Sequence, residues 1–370
     1  MNMEYNSIIV RYGEISLKGK NRRTFEQKLK CDIENFLKTR GIEFSSAALK
    51  WGRIYIKGID VTPPLEKICG IHSYSPALEI PKDYDILKDK AVELFPLFAG
   101  KESFRVTCRR IAKDFPHTSL ELERLLGAVI FNGTKTPVNL EKPGLDFQVE
   151  IGQDNIYIFT RKIKGFAGLP YGSAGKLVAL ISDGIDSPVA AFLMMKRGVE
   201  PILVHFSITE EDAQKVRMLK GILEEYTAGR RIKLYEISRD DIFKGSFAAL
   251  YNNRRFHSYM CIICKYLMHR KAAEIAKTEK ALGIITGDNL AQVASQTLKN
   301  MYAYRTVSGL PVYSPLIAFE KEETIKIARE IGTFEISIMK STGCTPPRNP
   351  KTGVHFETFQ KILAESGLLE

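Results

Sequence analysis

Several features that would set a chain apart from ordinary globular enzymes are scarce here. There are six cysteines in 370 residues, too few for a disulfide scaffold. A reducing cytoplasm is therefore expected, where thiols serve metal or redox chemistry more often than cross-linking. No apolar run reaches the ~18 residues that a membrane span needs, so no membrane partner is expected. The N-terminus lacks the apolar stretch and small-residue cleavage site of a secretory signal. The single tryptophan, Trp51, is expected in the core rather than stacked on a base. No internal repeat or low-complexity tract is present. Positive charge, by contrast, is in excess: 54 Lys and Arg against 43 Asp and Glu, a formal net charge of +11. That excess favours a polyanionic partner, with a merely solvated basic surface as the alternative. It is densest in the first sixty residues, where Arg11, Lys18, Lys20, Arg22 and Arg23 lie close together.

The length predicts two or three domains. The opening reads as a strand at 7–12, a helix after Asn21 with Phe25, Leu29, Ile33, Phe36 and Leu37 on its apolar face, and a strand at 53–57. Thr62-Pro63-Pro64 breaks the pattern. A second unit follows, with helices near 84–98 and 118–131, a strand at 103–109 and paired strands at 146–151 and 156–161. The glycine-rich stretch 165–175 reads as a linker. Beyond it, short β-rich runs at 176–181, 202–206, 233–237 and 282–286 alternate with helical patterns, which implies a parallel sheet covered on both faces.

The loop Ser182-Asp183-Gly184-Ile185-Asp186-Ser187 follows the first of these strands and precedes a helix, the place where an open parallel sheet binds its ligand. Backbone N–H groups in such a turn, backed by the positive helix end, favour a pyrophosphate group. Ser182 and Ser187 add hydroxyls, and Gly184 allows close backbone approach. A Walker A loop is excluded nearby, because Pro170 and Leu177 stand where Gly and Ser or Thr are required.

This loop resembles the SGGxDS pyrophosphatase loop of enzymes that cleave ATP between its α- and β-phosphates. Gly287 to Leu298, read Gly-Asp-Asn-Leu-Ala-Gln-Val-Ala-Ser-Gln-Thr-Leu, resembles the second signature of the tRNA 4-thiouridine synthetase family. Arg11 to Gly19 resembles that family's opening, and 104–131 with 161–165 resembles its RNA-binding THUMP domain. The resemblance spans nearly the whole chain. It implies an α/β architecture: a ferredoxin-like domain at 1–58, a THUMP domain at 59–165, a linker at 166–175 and a PP-loop ATP pyrophosphatase domain at 176–370, with a parallel sheet. It implies an ATP-dependent tRNA sulfurtransferase that adenylates the uridine at tRNA position eight and replaces its C4 oxygen with sulfur. A link to thiamine biosynthesis and a homodimer are implied as well.

Residue by residue, the resemblance places ATP at Leu180, Ile181, Ser182, Gly184, Asp186, Ser187, His205, Phe206, Lys265, Gly287 and Gln296. Asp186 is expected to position Mg²⁺ and phosphate. Asp183 departs from the pattern, which has Gly there; it is expected to point away from the triphosphate. Some relatives carry a further rhodanese domain with a persulfide cysteine. Only 26 residues follow Cys344, so that donor is not expected. Sulfur would come from a cysteine desulfurase or from inorganic sulfide.

Cys261 and Cys264 sit one turn apart, so in a helix both thiols share a face. On the residues alone, the pair reads as a redox disulfide, a zinc site completed by His257 or His269, or buried inert thiols. The resemblance adds a further reading and places Cys344 as the catalytic cysteine. Some relatives without the rhodanese domain share this pair and hold an iron–sulfur cluster, and three thiolates from Cys261, Cys264 and Cys344 suit one with an iron left open. Cys31, Cys69 and Cys108 read as packing residues, and no catalytic role is expected for His72, His117, His257, His269 or His355. For tRNA, Lys18, Lys20, Arg22, Arg23, Arg109 and Arg110 are the candidate phosphate contacts. The competing functions are another PP-loop enzyme, tRNA-modifying or amide-forming, and a non-catalytic tRNA-binding protein. The basic first 165 residues argue against the former, and an intact Asp186, Ser187 and Gln296 against the latter.

Overall fold

The β-branched run Ser7–Arg11 forms β1, buried along its whole length. In α1 (Arg22–Thr39), Leu29, Ile33, Phe36 and Leu37 recur at helical spacing and are buried. Asn21 precedes that helix but its side chain makes no capping hydrogen bond; two short 3₁₀ turns lead the chain in instead. Strands β2 (Ser46–Lys50) and β3 (Arg53–Lys57) are joined through Trp51 and Gly52, with φ of 49° and 75°, the backbone that a two-residue hairpin turn demands. This corrects the expectation for Trp51. At the hairpin tip its side chain cannot reach the core; it is 66% exposed and its indole N–H donates to Gln153.

The chain continues through β4 (Ser73–Pro81), α2 (Tyr84–Glu93), β5 (Phe104–Arg110), α3 (Ser119–Thr134), β6 (Leu145–Ile151), β7 (Asn155–Phe159) and β8 (Ile163–Lys164). Asp83 caps α2, and a Thr118–Glu121 capping box starts α3. One sheet in the order β2-β3-β1-β4-β7-β6-β5, with β8 on β4, unites these strands; β5 and β6 are parallel and the other pairs antiparallel. The structure, a computed structural model, describes residues 3–368. They divide into a unit ending at Gly168 and a second beginning at Leu169. The glycine-rich stretch is therefore shared: Leu169, Pro170 and Tyr171 are buried, and the Leu169 N–H donates to the Lys196 carbonyl.

The second unit alternates strand and helix: β9 (Gly175–Leu180), α4 (Asp186–Lys196), β10 (Val199–Ser207), α5 (Glu210–Glu224) and β11 (Leu234–Ser238). After α6 (Arg239–Ile242) and α7 (Phe247–Asn252) come the long α8 (Met260–Glu279), β12 (Ile284–Ile285), α9 (Leu298–Arg305) and β13 (Val312–Tyr313). Helices α10 (Lys321–Ile331), α11 (Phe334–Ser337) and α12 (Phe356–Ser366) complete it. Its sheet is wholly parallel, in the order β11-β10-β9-β12-β13. Val178, Val204, Ile263, Ile284, Tyr304 and Phe359 belong to one buried cluster beside it. The chain leaves β9 toward β10 on one side and returns to β12 on the other, so the carboxyl end of β9 is the topological switch point. No described helix is long and apolar enough to cross a membrane.

Candidate functional site

The loop after β9 lies at that switch point and is ordered by its own serines. The Ser187 hydroxyl accepts from the Ser182 N–H at 2.8 Å and lies 3.1 Å from the Ser182 hydroxyl. The loop thus closes onto the first turn of α4. Gly287, just past β12, packs directly on this turn: a Cβ there would lie 2.8 Å from the Ser187 nitrogen and 3.0 Å from the Asp186 carbonyl carbon. Only glycine lets the chain after β12 approach the first turn of α4 so closely.

Asp186 opens α4 and receives the Lys321 ammonium on both carboxylate oxygens, at 2.7 and 2.9 Å. Lys321 was not foreseen from the sequence. A lysine in the first turn of α10 opposes the helix dipole, and that mismatch is the signal that could have marked it. Leu180 ends β9, Ile181 follows it, and both are buried. His205 is buried too, and its ring is fully occupied: Nδ1 lies 3.1 Å from the Ile181 carbonyl oxygen and Nε2 lies 3.4 Å from Asp212. Its side chain ties the end of β10 to the loop and to the start of α5. Phe206, next to it, is buried in the core of this unit.

A second cluster gathers around Asp288, which is wholly buried. Its carboxylate accepts from Lys265 at 3.0 Å, Arg305 at 2.8 Å, the Tyr304 hydroxyl at 3.2 Å and the Gln296 amide at 3.3 Å. Burial works against the charge, yet the ammonium and guanidinium hold the carboxyl far below the ordinary carboxylate range. The Gln296 side-chain oxygen is buried without a hydrogen-bond partner. Lys265 and Gln296 are thus brought together by a residue that the motif contained and the sequence reading passed over.

On α8, burial raises the Cys261 thiol to about 11 and the Cys264 thiol to about 12, and Cys344 adds to both shifts. Cys264 donates to the Met268 sulfur at 3.9 Å, and Cys344 is exposed. Among the described residues, no three His, Cys, Asp or Glu side chains are gathered as a metal-holding group. His257 and His269 do not join the thiols in one. His257 is bonded to the Tyr251 carbonyl, and His269 is buried beside the Tyr304 ring.

In the first unit, Lys20, Arg23 and Arg109 are exposed. Lys18 lies over the Phe25 ring at 5.1 Å, Arg22 pairs with Glu26 at 2.6 Å, and Arg110 donates to the Phe115 and His117 carbonyls. The sheet register adds a group that linear reading could not assemble. Arg11 lies opposite Arg53, and Arg109 opposite Glu150. Arg11 and Arg53 pair with the buried Glu150 at 3.7 and 3.4 Å. Arg109 and Lys162 lie close enough to act on the same cluster, so positive charge exceeds what one carboxylate neutralises.

Together the two units define a class: a parallel-sheet protein with a pyrophosphate-type loop at its switch point, joined to a basic α+β unit. Residues 172–368 match the family model described as Thiamine biosynthesis protein (ThiI). Residues 7–75 match the ThiI ferredoxin-like domain and 81–161 the THUMP domain. The chain is 40% identical to the probable tRNA sulfurtransferase of Thermococcus kodakarensis, over 97% of this chain and 96% of that one. It is 38% identical to the protein of the same description from Methanocaldococcus jannaschii, over 96% of each. It also aligns with a crystal structure of a 4-thiouridine synthetase–RNA complex with bound ATP. That match has a TM-score of 0.86 and 33% identity, covering 98% of this chain and 95% of that one. The chain belongs to the ThiI family of tRNA sulfurtransferases.

Proposed function

We propose that the protein is an ATP-dependent tRNA sulfurtransferase that converts the uridine at tRNA position eight to 4-thiouridine. The observation that carries this reading is the loop Ser182–Ser187, with Gly287 packed on it and Lys321 seated on Asp186. An amide-like oxygen is a poor leaving group. In the proposed reaction the uridine C4 oxygen attacks the α-phosphorus of ATP, its N3 proton is lost and pyrophosphate departs. A sulfur nucleophile then forms the C4–S bond, and AMP leaves with the original oxygen.

Loop N–H groups and the α4 end would hold the leaving phosphates. Asp186 would anchor Mg²⁺, which would neutralise phosphate charge when bound, and Lys321 would share that task. The unpartnered Gln296 oxygen suits a nucleotide N–H or hydroxyl donor. Lys265, held by Asp288, would supply positive charge near it. Leu180, Ile181, His205 and Phe206 would shape the nucleotide pocket, His205 from behind because its ring is engaged.

Cysteine thiolates are the donors that an iron–sulfur cluster takes, and Cys261 and Cys264 stand one turn apart on α8. We assign Cys261, Cys264 and Cys344 to it, with Cys344 as the catalytic cysteine; when bound, the cluster would present the sulfur to be delivered. That sulfur would come from a cysteine desulfurase or inorganic sulfide. The basic first unit, comprising ferredoxin-like and THUMP domains, would bind tRNA through phosphate contacts from Lys20, Arg23, Arg109 and their neighbours. A cytoplasmic homodimer completes the reading.

The test is pyrophosphate release from ATP with and without tRNA. Release stimulated by tRNA and abolished in Asp186→Ala supports the assignment; release indifferent to both tRNA and Asp186 contradicts it. Anaerobic reconstitution with iron and sulfide should give a brown protein, bleached in Cys261→Ala, Cys264→Ala and Cys344→Ala. If only Cys344→Ala is inactive, a single persulfide-bearing cysteine replaces the cluster.

A further inference from the structure

Lys215 has no part in the reaction outlined above, yet it is among the most heavily engaged side chains of the second unit. It lies on the apolar stripe of α5 with Val216, Leu219 and Leu223, and its side chain is only 6% exposed. Its ammonium meets Asp183 at 3.0 Å, the Met339 carbonyl at 2.8 Å, the Ser337 carbonyl at 3.3 Å and the Ser341 hydroxyl at 3.3 Å. Asp183 also accepts from the Ser341 hydroxyl, and the Ser337 hydroxyl donates to the Gly184 carbonyl at 3.3 Å. Thr342 adds a bond to Glu211 at 3.2 Å. The phosphate-binding loop, α5 and the segment 337–342 are thereby fastened to one another. The Asp183 carboxylate is turned to this junction.

The same segment is fastened again seven residues on, where the Arg348 N–H donates to His257 Nε2 at 3.0 Å. His257 precedes Cys261 by one helical turn on the way into α8. Residues 342–347 therefore form a strap with one end on the phosphate loop and the other at the head of the cysteine helix. Cys344 lies in the strap. With Ser341 held on Asp183, three residues of chain limit Cys344 to about 11 Å from that anchor. The strap, anchored at Ser341 and at Arg348, sets where Cys344 can be.

We propose that Lys215 is a positioning residue for sulfur delivery: through Asp183 and Ser341 it holds the strap bearing Cys344 between the phosphate loop and the Cys261–Cys264 pair. The inference rests on the assignment of Cys344 as the sulfur-delivering cysteine. A buried ammonium beside Val216, Leu219 and Leu223 costs desolvation, and a structural filler there would be aliphatic. Asp183, which replaces the glycine of the usual loop, supplies its counter-charge.

Two variants test the proposal, Lys215→Met and the milder Ser341→Ala, which leaves the buried ion pair intact. Three readouts are needed: tRNA-stimulated pyrophosphate release, 4-thiouridine formed per pyrophosphate, and hydrogen exchange of backbone amides at 338–344. The expected result for Lys215→Met is pyrophosphate release within about threefold of the parent and thiolation per pyrophosphate at least tenfold lower. Exchange across 338–344 should rise by at least tenfold. Ser341→Ala should shift the last two in the same direction by less, and Lys215→Arg should recover part of the coupling. Unchanged thiolation per pyrophosphate, or a parallel fall in both activities, would overturn the proposal. If the parent releases no pyrophosphate with tRNA, the functional assignment fails. The exchange measurement then still judges the strap, since unaltered exchange in both variants refutes it.

Discussion

Gly287→Ala is the smallest change that should disable the site without removing a reactive group. The added methyl carbon would lie 2.8 Å from the Ser187 nitrogen, 2.9 Å from its Cα and 3.0 Å from the Asp186 carbonyl carbon. Ordinary contacts of this kind lie near 3.4 Å or beyond, so roughly 0.5 Å must open between β12 and the first turn of α4. All three atoms are backbone, and no rotamer change relieves them. Overpacking of this kind costs ~1–3 kcal/mol of stability. A displacement of about 1 Å can cost ~10²-fold in rate where reacting groups are pre-positioned, so half that shift should lower pyrophosphate release by about tenfold. Steady-state pyrophosphate release at saturating ATP and tRNA, beside thermal unfolding of the same preparation, separates misplacement from unfolding. Activity within twofold of the parent, with unchanged thermal stability, would refute the reasoning that Gly287 sets the loop position.

Asp288→Asn should destabilise the second unit by ~2–4 kcal/mol in urea unfolding, below the full cost of breaking a buried pair because Lys265 and Arg305 reach solvent; a loss under 1 kcal/mol would contradict this. Burial, followed by the charge on Lys265, pushes the His269 imidazole down to about 3. An unfolded histidine titrates near 6.5, so the unfolded chain binds the extra proton between pH 6.5 and 3. The stability from a neutral His269 is complete above about 6.5 and lost as pH falls toward 3, amounting to ~2 kcal/mol at pH 5. His269→Phe should flatten the loss between pH 7 and 5 by that amount, and equal losses in both proteins would exclude His269 as the cause. A fragment of residues 1–168 should fold alone and bind tRNA with a steep inverse dependence on salt, because phosphate contacts release counterions; salt-insensitive binding by filter retention would contradict the role given to its basic surface.

The parts legible in the sequence were those written in consecutive residues. The alternating and continuous apolar runs marked β1, β3, β9 and β10, and the loop Ser182–Ser187 stood out between strand and helix. The short β2 and the long β4 carry weaker patterns. Pro76 interrupts β4 and Pro81 ends it, and Ser46–Lys50 borrows its pairing from β3. Trp51 was misjudged because composition says tryptophan is buried, whereas a positive φ at a hairpin tip decides otherwise. Lys215, Lys321 and Asp288 escaped notice because each acquires meaning only through partners distant in sequence. The Arg11–Arg53–Glu150 group likewise needs the sheet register before its members meet. A charged residue on an apolar stripe, or a lysine in a helix's first turn, is the trace such residues leave in a sequence.

The central claim is that ATP cleavage at this loop activates one uridine of tRNA for sulfur replacement. The most direct measurement is mass spectrometry of nucleosides from tRNA incubated with the reconstituted protein, ATP, Mg²⁺ and sulfide, using transcripts with uridine or cytidine at position eight. The account predicts 4-thiouridine only in the uridine-eight transcript, only with ATP, and none with Asp186→Ala. Thiolation without ATP, thiolation undiminished in the cytidine-eight transcript, or undiminished product from Asp186→Ala would contradict it.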